Sequence, residues 1–188
     1  MVMRLLVGLA LALIAAPAAW FRGGRGRRRR RFGHGKELAT YRNELFERTQ
    51  RIDTVVGGLA DAVDALRRRE LEVDDALERL SAAEDELDLA AEELRGMLAP
   101  EELHALHVEY EANLERALRG IVTAERGCGI TRLPHRPPDD EEPFIYYKRG
   151  HSNLVHARLR MQELAEILLA WEPGKPAEAS VSARLHRT

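Results

Sequence analysis

Counted by sevens from Leu38, the chain places an apolar residue at Leu45, Ile52, Leu59, Leu66, Val73, Leu80, Leu87 and Leu94, nine in one unbroken column. The column three residues on reads Tyr41, Arg48, Val55, Ala62, Arg69, Ala76, Ala83, Ala90 and Met97, and the one after it includes Val56, Val63, Leu77, Ala91 and Leu98. A seven-residue repeat with partly apolar flanking columns marks a helix that buries a broad stripe, wider than a strict zipper seam. No proline falls between Leu38 and Leu98 and the phase never slips. The pattern therefore predicts one helix from about Glu37 to Arg95, a rod about 90 Å long at 1.5 Å per residue. Gly57-Gly58 is its weak point, and the charge cluster Arg67 to Glu72 is a competing break. Those charged residues form helix readily and keep the register, so continuity is the expectation there.

Gly96 is placed to end the rod, and Pro100 followed by Glu101-Glu102 reads as the first turn of a second helix, folded back by the short connection. This helix is expected to reach about Arg126, with Leu103, Leu106, Tyr110, Leu114, Ala117, Leu118, Ile121 and Val122 on its apolar face and Gly127 as its stop. Residues 127–147 are rich in Gly, Pro and charge and read as a loop, pinned to the helices by Phe144-Ile145-Tyr146-Tyr147. A third bundle helix is expected over Lys148 to Trp171, and residues 172–188 read as a disordered tail. The fold class is all-α: a long heptad-patterned helix with an antiparallel hairpin, or three-helix bundle, at its distal end.

Ahead of the rod, seventeen residues from Leu5 to Phe21 carry no charge. As a helix they reach about 25 Å, the short end of what a bilayer core requires. Seven arginines follow at once, Arg22, Arg25, Arg27, Arg28, Arg29, Arg30 and Arg31. Residues 1–21 thus read as a transmembrane anchor and residues 22–36 as an Arg/Gly-rich juxtamembrane linker. Because Lys and Arg collect on the cytoplasmic side of a span, the rest of the chain is expected in the cytoplasm, in a single-pass cell-membrane protein. The rival reading is a secretory signal with Ala16-Pro17-Ala18 as its cleavage site, followed by export. Against it, the arginine block would have to cross the membrane directly behind the signal.

The overall charge of −2 conceals a division: the first 36 residues hold nine basic and no acidic groups, while the remainder holds 20 basic and 31 acidic ones. A basic segment beside a span is drawn to anionic lipid headgroups, at about 1 kcal/mol per Lys or Arg. Membrane lipids are therefore the expected partner of the collar. Nucleic acid ranks well behind, since the collar has few flanking aromatics and the rest of the chain is acidic.

Candidate chemistry is sparse. Glu101-x-x-His104 has the carboxylate-histidine spacing of helical metal sites, with His107 one turn on from His104 and Glu111 as a further candidate ligand. A dinuclear site of that type needs a second Glu-x-x-His, which the sequence does not contain, so the expectation is no metal and no cofactor. Cys128 is the only cysteine. There is no phosphate-binding glycine loop with Lys-Ser or Lys-Thr, no nucleophile elbow and no paired-cysteine zinc spacing, and no small-molecule substrate is evident.

A 90 Å rod is longer than two short helices can cover. Its first half would leave Leu38, Leu45, Ile52, Val56 and Leu59 bare, so self-association or another coiled-coil partner is expected there. The layout resembles that of bacterial membrane-tethered coiled-coil proteins in general, through its architecture and not through any motif. The resulting expectation is a nonenzymatic, membrane-anchored scaffold or adaptor that presents a small helical bundle to partners. The alternatives are an exported or surface helical bundle that binds a ligand or envelope partner, and after that a metal-dependent helical enzyme.

Overall fold

A computed structural model describes the backbone of residues 26–174 and the side chains of residues 35–174. The apolar run 5–21, Arg22, Arg25, the side chains of Arg27 to Arg31 and the tail from 175 lie outside the described residues. The chain divides into two units, residues 1–36 and 37–188, and the helical bundle belongs to the second.

Four α-helices make up the described chain: α1 (Gly26–Arg67), α2 (Val73–Arg95), α3 (His104–Arg132) and α4 (Pro143–Ala170), with a single 3-10 turn, Glu101–Leu103, leading into α3. They pack as an up-down-up-down bundle, and cross-helix pairs define the directions. On α1 and α2, Arg51 meets Glu93 at 2.6 Å, which makes them antiparallel about the 68–72 turn. Arg132 meets Asp74 and His107 meets Leu94, so α3 runs back along α2. Arg160 meets Glu109 near one end of the α3/α4 pair and Arg126 meets Asp140 near the other. Asp53 on α1 pairs with Arg158 on α4 and closes the ring of neighbours.

The rod is therefore two helices, and the break falls at Arg67 to Glu72. The Arg69 amide donates to the Leu66 carbonyl and the Glu70 amide to the Ala65 carbonyl, while Arg69 itself sits at φ 62°. These two bonds and the left-handed residue make a Schellman stop, here without its usual glycine. An L-residue in that conformation costs about 1–2 kcal/mol, whereas each large apolar side chain withdrawn from water returns about 1.5–3 kcal/mol. With several such side chains on each half of the stripe, the reversal wins by a wide margin.

The bare strip disappears with the rod. Leu45, Ile52 and Val56 are 0%, 1% and 0% exposed, and Leu38 and Leu59 are buried as well. The bundle covers all five, which removes the ground for self-association through them.

The second helix also differs from expectation. It continues through Gly127-Cys128-Gly129 to Arg132, and α4 begins at Pro143, so the connecting loop is 133–142 and not 127–147. Pro143 occupies the first turn, where its missing N–H costs nothing. The Phe144 to Tyr147 patch is thus helix: Tyr146 and Tyr147 are buried, whereas Phe144 is half exposed. The buried positions of α3 include the series 107, 110, 114, 117, 121, 124, 128, flanked by Gly120, Gly127 and Ile130, and those of α4 include 147, 150, 154, 157, 161, 164, 168, flanked by Tyr146. This three-four alternation is knobs-into-holes spacing, with small residues where the two helices come closest.

Candidate functional site

Of the two histidines that the sequence singles out, His104 and His107, the second is a buried polar node. His107, 3% exposed, has its Nδ1 3.0 Å from the Tyr41 hydroxyl and its Nε2 3.1 Å from the Leu94 carbonyl and 3.0 Å from a Glu111 carboxylate oxygen. Carbonyl and carboxylate oxygens only accept, so Nε2 carries the proton, and Nδ1 accepts from Tyr41. Burial first, and the Glu111 charge second, push the Tyr41 hydroxyl far above its ordinary range, so it remains a donor. The node joins α1, α2 and α3 at one end of the bundle, and it satisfies polar groups that would otherwise be stranded in the core.

The structure brings His107 and Glu111 together but leaves His104 and Glu101 exposed. A metal would have to displace the Tyr41 bond or the Nε2 proton. No cluster of three His, Cys, Asp or Glu side chains with metal-binding geometry occurs among the described residues. Cys128 is fully buried, and burial pushes its thiol up, so it stays protonated and unreactive.

Depressions between the helices mark the surface of the bundle. One, of about 400 Å³, lies between α1 and α4 over Ile52, Tyr110 and Met161, with Asp53 and Gln162 at its edge. Here Arg158 donates to Asp53 from Nε at 2.8 Å and from a terminal nitrogen at 3.0 Å, and Gln162 adds a bond at 2.7 Å. The Arg158 bond holds the Asp53 carboxyl below the usual carboxylate range. Gly57 makes room for the pair, since a Cβ there would lie 2.8 Å from the Arg158 guanidinium carbon.

Another, of about 510 Å³, is a groove between α3 and α4 lined by Val122, Thr123, Arg126, Tyr146, Arg149, Ser152 and Asn153. Arg126 lies over the Tyr146 ring, 5.3 Å from its centroid. The acidic loop folds onto both arginines. Asp140 accepts from Arg126 at 2.7 Å and from the Tyr146 hydroxyl at 3.1 Å, and Glu141 accepts twice from Arg149, at 2.5 and 3.0 Å. The Arg126 bond lowers the Asp140 carboxyl, and Asp140 in turn raises Arg126. Sequence reasoning missed this groove because its lining comes from two helices separated along the chain by the 133–142 loop. The signal was present in the acidic run Asp139 to Glu142, read only as loop.

Compared with known proteins, the chain matches no protein-family model, no curated protein and no solved structure.

Proposed function

We propose that this chain is a nonenzymatic membrane-anchored scaffold or adaptor that holds a four-helix bundle beside the bilayer for partners to dock on. The observation that carries this reading is a junction: the helix that opens the bundle, α1, begins at Gly26, inside the arginine block that directly follows the uncharged run Leu5 to Phe21. A polybasic segment of this kind orients a span and engages anionic headgroups. In this reading the anchor is the uncharged run Leu5 to Phe21, which lies outside the described residues; among the described residues no helix is long and apolar enough to cross a membrane. The bundle core is closed by apolar heptad positions, and its outer helix faces, carrying Phe46, Leu89 and Leu159 half exposed, are the surfaces a docking partner would meet.

A reporter fused after Trp171 tests the topology. Activity of a reporter that requires the cytoplasm, and silence of one that requires export, is the expected result. The reverse pattern, or a mature amino terminus at Ala19, would replace this reading with the exported helical bundle.

A further inference from the structure

The groove between α3 and α4 stands open, and the two arginines on its rim are held by the protein's own carboxylates. Its rim carries two guanidinium groups, Arg126 and Arg149, together with the Tyr146 hydroxyl, and its lining adds Thr123, Ser152 and Asn153. Guanidinium forks match carboxylate and phosphate geometry, and a volume of about 510 Å³ falls in the range of small-molecule sites. The Asp140 and Glu141 side chains reach over from the loop and take the forks, one each, and Asp140 also takes the tyrosine hydroxyl. The Arg126, Arg149 and Glu141 side chains are exposed, at 62%, 58% and 41%, so the Arg149–Glu141 pair is screened by salt and holds weakly; Asp140, at 17%, is the better sheltered of the two carboxylates, though its arginine remains open to solvent. Such pairs do little for stability and are readily exchanged for a better anion.

We propose that this groove binds a small ligand bearing two negative charges, a phosphoryl compound or a dicarboxylate, and that Asp140 and Glu141 are a built-in competitor that the ligand displaces. Such a site goes beyond the scaffold reading and does not depend on it: the groove lies wholly within the bundle and would serve as well in an exported protein. Displacement frees the 133–142 loop, which joins α3 to α4 and would then present its acidic run to solvent. The ligand would thereby change the surface that the bundle offers to partners.

The test uses the full-length chain in non-ionic detergent, titrated calorimetrically at low salt with pyrophosphate and, separately, with succinate. Wild type is expected to bind weakly. The Asp140→Asn/Glu141→Gln variant, its competitor neutralised, should bind about tenfold more tightly, the gain expected from releasing two ion pairs. Arg126→Gln/Arg149→Gln should lose binding. Tighter binding of pyrophosphate than of succinate assigns the site to phosphoryl ligands, and the opposite order assigns it to dicarboxylates. No saturable binding of either probe to the folded loop variant overturns the proposal, as does binding that survives the loss of both arginines, since it would then reside elsewhere, as on the Arg27 to Arg31 collar. A measurement on wild type does not rely on the loop variant's folding: millimolar pyrophosphate should shift the amide resonances of Arg149, Ser152 and Asn153, and unmoved resonances refute the site.

Discussion

Gly120 and Gly150 face each other across the α3/α4 seam so closely that a Cβ added to Gly150 would lie 2.8 Å from the Gly120 carbonyl oxygen. That oxygen belongs to helix backbone and cannot swing aside. The seam is close elsewhere for the same reason: a Cβ at Gly127 would lie 2.7 Å from the Tyr147 ring. Glycine here is a spacing device, which offsets its cost in a helix interior.

Substitution separates that role from mere helix weakness. Gly150→Ala gains about 1 kcal/mol of helix propensity but forces the seam apart, at about 1–3 kcal/mol, so the variant should melt below wild type. Gly58→Ala meets nothing within 4 Å on the exposed side of α1. It should raise stability by about 0.5–1 kcal/mol. Thermal or urea unfolding of the two variants checks the opposite signs.

The α1/α2 reversal carries an arginine where a glycine would be unstrained. Arg69→Gly should therefore stabilise the protein by about 1 kcal/mol, because Arg69 is exposed at φ 62° and its conformation, not its contacts, sets the cost. A lower urea midpoint in Arg69→Gly would show that the guanidinium makes a contribution larger than the strain.

Leu45 and Ile52 distinguish a bundle core from an intermolecular seam. With both residues within 1% of complete burial, Leu45→Asp with Ile52→Asp places two unpaired carboxylates in the core. The expected loss is more than about 4 kcal/mol, a large share of a domain's stability, and the variant should lose its cooperative unfolding transition. A variant that stays folded and only changes its sedimentation mass would return these residues to an interface between chains.

The Asp53–Arg158 pair ties stability to acid. Because the folded carboxyl titrates below its unfolded value, chiefly through the Arg158 bond, its contribution is present above the unfolded pKa of about 3.9 and is lost as pH falls through the lower folded value. Asp53→Asn should be less stable than wild type at neutral pH, and the gap should close below about pH 4. A gap that stays constant from pH 7 to pH 3 would mean that the loss is one of packing. Asp64 and Asp140 are also lowered by arginine neighbours, but they are common to both proteins and cancel in the comparison.

Which residues face inward was legible along the chain. The column from Leu38 to Leu94 is buried at nearly every position, a helix ends at Gly96, and Pro100 leads into the next one as expected. Heptad spacing depends only on the number of residues per turn, so it survives whatever the chain does at its ends.

Where the chain reverses was not legible. Arg67 to Glu72 is helix-forming and in phase, and Gly127-Cys128-Gly129 resembles a terminator, yet the chain turns at the first and runs straight through the second. Both outcomes come from contacts between segments distant in sequence. The apolar stripe of α1 finds that of α2 at the expense of one left-handed arginine, and Gly127 lies inside α3 because the Tyr147 ring occupies the place of its side chain. The sequence by itself determined an all-α chain, its inward faces and the charge division between residues 1–36 and the rest. Tertiary structure alone decided the four-helix count, the Tyr41–His107 node and the arginine groove with its acidic loop. Local propensities of about 1 kcal/mol per residue cannot choose between a rod and a hairpin when the burial of several large side chains rides on the outcome.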